Sequence, residues 1–242
     1  MSDSAATILD RLKVVDAERQ QRSADPELNA RVVALKGFQQ RRFSHTYADL
    51  LASPRYGAAS RFFLEELYGP DDFTRRDAQF ARIVPGMALF FPHRIVGTVS
   101  ALAELHALSE TLDTAMGRQL ERAQITGRDY IRAWQGVGRA AERERQIALT
   151  LEVATSLDAL TRKPFLRNSL RLMRTPARAA GVADLQRFLE IGFDTFRAMN
   201  GAGDFIALVG TRERALASLL FAAGANGGEA AASMQRALDS LP

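Results

Sequence analysis

His106, Glu110 and Asp113 stand four and three residues apart, so a helix would carry all three on one face. An imidazole with two carboxylates has the donor types for iron, manganese or zinc, provided a second helix adds carboxylates or His45 or His93 completes the set. The paired Glu-x-x-His repeats of di-iron bundles are missing, and Glu104 falls on another side of the helix. A lone histidine in an apolar helix could also ligate haem. Against both stands a histidine hydrogen-bonded in or near the core, the commoner role for such a residue and the one expected here; on that reading no cofactor is expected.

A second constellation is basic. Arg167, Arg171, Arg174 and Arg178 are spaced four, three and four, and Arg162 and Lys163 precede them. If one helix persists through Thr175-Pro176, they form a stripe beside Leu166, Leu170 and Met173. No acid occurs between Asp158 and Asp184, so the segment has one sign of charge. It could meet an anionic lipid surface, nucleic-acid phosphates or an acidic partner. Neutralisation by carboxylates from elsewhere in the fold is the favoured expectation, because the proline interrupts the stripe and only Phe165 offers an aromatic ring. Glu65 and Glu66 are adjacent, point about 100° apart on a helix and form no converging acid–base pair. Arg75 and Arg76 are their expected partners.

Several chemistries are excluded outright. The 242 residues include no cysteine, which removes disulfides, thiolate metal sites and cysteine nucleophiles. No phosphate loop, dinucleotide fingerprint or Gly-x-Ser-x-Gly elbow is present, and no order of Ser, His and Asp specifies a triad. The isoelectric point near 9.8 suggests a polyanion binder, yet the net charge is only +4. The high value reflects arginine in place of lysine, since only Lys13, Lys36 and Lys163 are lysines. Nucleic acid is therefore not an expected partner. No signal-type apolar stretch opens the chain and no run reaches the roughly 18 apolar residues of a membrane span, so a cytoplasmic location is expected.

The elements that must position these residues read as helices throughout. With 47% hydrophobic and 25% charged residues, a packed core is within reach. Asp25-Pro26 signals a helix start, and that helix is expected to run to Ala52, before Ser53-Pro54. The helix from Thr74 should end at Val84-Pro85. His93 to about Gln119 reads as one long, broadly apolar and hence central helix. Thr126 and Asp129 form a capping box, and a long amphipathic helix runs from Arg139 to Leu160 with Ile147, Leu151 and Ala154 on its stripe. Asn200-Gly201 turns a helical hairpin. Neither strand alternation nor a solenoid repeat is visible. The expected fold is all-α, an irregular and largely orthogonal array of roughly eight to ten helices. Residues 1–24 read as an N-terminal helical arm and 25–242 as a single domain, with a hairpin subdomain at 182–224.

One string is distinctive: Arg61-Phe62-Phe63-Leu64-Glu65-Glu66-Leu67-Tyr68-Gly69-Pro70, followed by Arg75-Arg76-Asp77-Ala78-Gln79-Phe80. It reads as a short amphipathic helix stopped by Gly69-Pro70, with Thr74 and Asp77 capping the next. Phe62, Phe63, Leu67, Tyr68, Arg76 and Asp77 are assigned a structural role, because aromatic stripes at helical spacing are usually core. The string resembles the bacterial family named for its FFLEELY motif. Asp184 to Glu190, Gly192-Phe193, Phe205 and Arg212-Glu213-Arg214 extend the resemblance over roughly residues 40 to 222. It implies a helical, uncharacterised bacterial protein and brings no catalytic residues. The functional expectation is a non-catalytic binding or protein-interaction module, its partner a protein or small ligand. A metal or haem protein using His106 and an anionic-surface binder using residues 162–178 are the alternatives.

Overall fold

The central element of the computed structural model, which describes residues 3–67, 74–223 and 228–242, is the helix His93–Gln119. Numbering in chain order, the helices are α1 (Asp3–Ser23), α2 (Pro26–Thr46), α3 (Ala48–Ala52), α4 (Gly57–Phe62), α5 (Thr74–Phe90), α6 (His93–Gln119) and α7 (Gly127–Val137). After them come α8 (Ala140–Thr161), α9 (Pro164–Leu172), α10 (Arg174–Ala179), α11 (Ala183–Ala198), α12 (Gly203–Ala222) and α13 (Gly228–Asp239). A π-helical turn, Phe63–Leu67, follows α4. The fold is all-α, and no strand occurs among the described residues. No described helix is long and apolar enough to cross a membrane.

α6 occupies the centre because small residues let its neighbours come close. Ala101, Ala103 and Ala107 are buried, and a Cβ on Gly117 would stand 2.4 Å from Val32 Cγ2 of α2. α1 lies along α6 through Ala5, Ile8, Leu12 and Val15, spaced three, four and three. α2, α7 and α8 also pack on α6, and α12 bridges α7 and α8. One apolar cluster joins Leu35, Phe38, Met116, Tyr130, Trp134 and Leu220. A second gathers Phe43, Tyr47, Phe63, Phe196 and Phe205.

Local signals explain most boundaries. Asp25 caps α2 by accepting from the Leu28 amide at 3.0 Å. Thr126 and Asp129 close their reciprocal box at 3.2 and 3.1 Å. Gly138 (φ 66°) ends α7 and Arg139 (φ 50°) starts the chain into α8, both in the left-handed region.

Four boundaries differ from expectation, and the described residues hold thirteen α-helices, more than the roughly eight to ten expected. The helix from Pro26 stops at Thr46 instead of Ala52: the Thr46 carbonyl accepts from Arg212 Nη1 at 2.9 Å, and the buried Tyr47 turns its hydroxyl to Glu213 at 2.7 Å. Those tertiary bonds hold the chain at the break, where the Tyr47 N–H still donates to the Phe43 carbonyl at 3.0 Å. α5 continues through Pro85 to Phe90, with Val84 fully buried against the α1–α6 cluster. Between α9 and α10 the break falls at Met173, ahead of Pro176. The motif helix widens into the π turn at Phe63. This turn lets consecutive rings bury in different places: Phe62 stacks on Phe188 at 5.5 Å, while Phe63 meets Phe196 and Phe205 at 5.9 and 6.0 Å. Tyr68, the Gly69-Pro70 stop and the side chain of Leu67 lie outside the described residues.

Candidate functional site

A cavity of about 230 Å³ runs between α6 and α8, closed on its other sides by α2, α11 and α12. Its apolar walls come from the facing stripes of two helices: Leu102 and Leu105 of α6, and Ile147, Leu151 and Ala154 of α8. Phe63 of the motif and Phe205, Ile206 and Val209 of α12 close it from the other side. Leu185, Phe188 and Leu189 of α11 line the far end. Leu189 is 41% exposed, which brings that end of the lining to the surface.

The opposite end is polar and deeply buried. Arg143 of α8 is 3% exposed. Its guanidinium stands 4.0 Å from the Trp134 ring centroid, with Nη1 donating to Gln146 Oε1 at 3.1 Å and Nη2 to Met116 Sδ at 2.9 Å. It forms no ion pair with a described carboxylate. The Trp134 Nε1–H is buried without an acceptor. Tyr130, 1% exposed, stacks on Phe38 at 4.8 Å and donates no hydrogen bond to a described residue. Burial pushes the Tyr130 hydroxyl up and the Arg143 guanidinium down from their usual pKa values.

Asp113 is the acid of this end. Gln39 Nε2 donates to its Oδ1 at 2.9 Å, and burial raises its carboxyl above the usual carboxylate range in spite of Lys36 and Arg143. Arg42 belongs to a separate set: its Nη1 donates to Glu213 Oε1 at 2.5 Å, the same oxygen that takes the Tyr47 hydroxyl. The Arg42 guanidinium is pushed further up, burial being outweighed by Glu213 and the two tyrosines, and its Nε is left without a partner.

The three residues of the metal-type face share one side of α6 but are divided among different partners. His106 Nε2 bonds Asp77 Oδ2 at 2.9 Å, and Arg19 donates to the same oxygen at 2.7 Å. Burial raises the Asp77 carboxyl, but the bonds and charges of His106 and Arg19 outweigh it and hold it below its ordinary range. Glu110 has both oxygens occupied, by Arg22 of α1 at 2.6 Å and Lys36 of α2 at 2.7 Å. Burial opposes its ionisation, yet Lys36 and Arg22 hold its pKa to about 2. Asp113 faces Gln39. Among the described residues no group of three metal-type donors converges. His45 and His93 are both exposed at the surface, away from this face.

The basic segment is divided too. Arg167 of α9 pairs with Asp194 at 2.5 Å and Arg174 of α10 with Glu190, its Nε at 2.8 Å from Oε1; both acids lie on α11. Arg162 pairs with Asp158 at 2.6 Å. Arg171 and Arg178 are exposed. In the motif, Arg75 pairs with Asp184 of α11 at 3.0 Å instead of with Glu65, and Arg76 stands 4.4 Å over the Phe188 ring.

Arg143, Tyr130 and Asp113 were not joined by any spacing rule, since they come from three helices. A signal for Arg143 existed: it lies four residues before Ile147, on the stripe continued by Leu151 and Ala154, where a cation is out of place unless something receives it.

No curated protein and no solved structure matches the chain. Residues 18–227 match the family described as "Domain of unknown function (DUF8198)". That span holds every cavity-lining helix from α2 to α12 and covers most of the chain, which therefore belongs to the DUF8198 family.

Proposed function

We propose that this chain is a non-catalytic cytoplasmic binding protein of the bacterial FFLEELY-motif type, and that its ligand is a small, largely apolar molecule held in the cavity between α6 and α8. The cavity is the observation that carries the reading. Its volume of about 230 Å³ exceeds the ~150 Å³ of an engineered cavity that takes up benzene, and most of its wall is aliphatic or aromatic with a few polar groups at one end. Leaving such a space empty in a protein interior costs stability, because the wall atoms lose their dispersion partners. A ligand would recover those contacts.

Native mass spectrometry of the protein purified from its host should show the chain with one small molecule attached. Filling the cavity with Ala154→Trp should remove that adduct while leaving the helical circular dichroism unchanged. Ala154 is buried on the α8 stripe, so the larger ring must enter the cavity. A bare chain in the spectrum, together with no thermal stabilisation by any member of an apolar small-molecule set, would refute the reading.

A further inference from the structure

We propose that the ligand is an apolar carboxylic acid whose carboxylate is received by Arg143 at the α7 end of the cavity, with its tail lying along the α8 stripe. This rests on the cavity-binding reading above and adds the chemical class.

The buried end is an anion receptor lacking its anion. A guanidinium 3% exposed is held by a glutamine, a thioether and an indole face, none of which carries negative charge. Buried charges are otherwise paired, because an unpaired one forfeits its hydration with nothing in return. The other buried arginines of this chain obey that rule: Arg22 has Glu110 and Arg42 has Glu213. Arg143 alone of the three faces the cavity without an acid. Asp113 is the acid whose charge acts on it most, but Gln39 holds Asp113 and burial disfavours its charge, so it compensates Arg143 poorly. Two further donors surround the same place. The Trp134 N–H has no acceptor and sits on the ring beneath the guanidinium; the Tyr130 hydroxyl, 6.1 Å away ring to ring, is also free to donate.

A carboxylate meets this set in full. It accepts two guanidinium N–H bonds in a fork and still has lone pairs for an indole N–H and a phenol. The remainder of the ligand follows from the wall. From Arg143 to Leu151 the α8 face rises about 12 Å, with Ile147 between them, a length suited to a medium-chain acyl or arylalkyl tail. Neutral polar ligands would leave Arg143 uncompensated.

Trp134 is the sole tryptophan, so its fluorescence reports on this end of the cavity directly. Octanoate and 3-phenylpropionate are titrated into the full chain at pH 7.5, each beside the alcohol of the same skeleton. The expected result is saturable quenching or a spectral shift with each acid binding at least about tenfold more tightly than its alcohol. In Arg143→Met the acid should lose about 10- to 100-fold in affinity, the range of a charged hydrogen bond, while the alcohol is unaffected. The wild-type acid–alcohol preference stands as a test even if that variant fails to fold. Alcohols binding as tightly as acids would overturn the carboxylate assignment and leave the cavity-binding reading standing. Failure of both acids and both alcohols would overturn the assignment, and the mass-spectrometric result then decides the broader reading separately. Retention of acid affinity in a folded Arg143→Met protein would also overturn it.

Discussion

Two buried charge clusters flank α6, one around its own Glu110 and one around Arg143 of α8, and they are built to opposite plans. Around Glu110 every strong group is matched: Arg22 and Lys36 take one oxygen each, and Arg22 donates its other nitrogen to Thr114 at 2.7 Å. The bonds tie α1, α2 and α6 together. Around Arg143 the donors outnumber the acceptors, and a cavity lies where the missing acceptor would stand. The first arrangement is complete without a ligand and serves the fold. The second is incomplete, and incompleteness in a buried polar set is the mark of a binding site, since a fold gains nothing by retaining it.

The largest expected effect comes from breaking the complete cluster. Glu110→Ala leaves two buried or half-buried cations without their acid, and urea unfolding at pH 7 should register a loss of about 3–5 kcal/mol. The same pairing fixes a pH dependence. The Glu110 carboxyl goes from its ordinary value of 4.5 to about 2 on folding, so its stabilisation is fully present above pH ~4.5 and lost as pH falls towards 2. Wild type should therefore lose stability over that window and Glu110→Gln should lose much less. Equal acid slopes in the two proteins would show that the cluster contributes nothing to folding.

Removing the lone cation should do the reverse. Arg143→Met keeps the aliphatic bulk against Trp134 and deletes a charge with no carboxylate partner, so unfolding should show stability unchanged or raised by up to about 2 kcal/mol. A loss comparable with that of Glu110→Ala would erase the contrast between the clusters and make Arg143 a structural residue. Asp113 sharpens the point through its sign. Its carboxyl is raised on folding, so the folded state prefers the protonated form, and this group's contribution falls as pH rises above its unfolded value near 3.8 and through the raised folded one. Asp113→Asn keeps an acceptor for Gln39 and should flatten that decline, which has a slope of at most about 1.4 kcal/mol per pH unit for one proton. An unchanged pH profile would mean that Asp113 is ionised in the folded protein and is the counter-ion of Arg143 after all.

How much of this was readable beforehand depended on range. The capping box of Thr126 and Asp129, the Asp25 cap and the central placement of α6 are local or periodic features, and the structure has them where the sequence put them. The break at Tyr47 was hidden because it is held by Arg212 and Glu213, some 166 residues away. His106 and Asp77 were separately visible, one as a ligand type and one inside the motif, yet their bond spans 29 residues and no pattern on either helix announces it. The α1 stripe illustrates the same limit. Ala5, Ile8, Leu12 and Val15 continue at helical spacing into Arg19 and Arg22, both of which point inward to acids supplied by α5 and α6. A charged residue on an apolar stripe looks like a flaw in the pattern until its partner is in view. Arg19, Arg22, Arg42 and Arg143 share that signature, and of these four only Arg143 lacks the partner.

The smallest effect belongs to the charge pairs in which one partner stays open to water. Arg167 meets Asp194, and the acid is 46% exposed, so water competes for the pair and salt screens it. Arg167→Gln should change unfolding stability by about 0.5 kcal/mol or less. Its value lies in testing the basic segment as a receptor. If Arg167, Arg171 and Arg174 served phosphates or anionic lipid, the triple glutamine variant would abolish binding to anionic vesicles or nucleic acid that wild type shows near 0.15 M salt. The pairing of two of the three with α11 carboxylates leads us to expect weak or undetectable binding by wild type, and the same from the variant. Submicromolar, salt-sensitive binding lost in the triple variant would move the anion site from the buried end of α8 to the face of α9 and α10. The opposite pattern, octanoate binding unaltered by the triple variant and weakened by Arg143→Met, would place it inside.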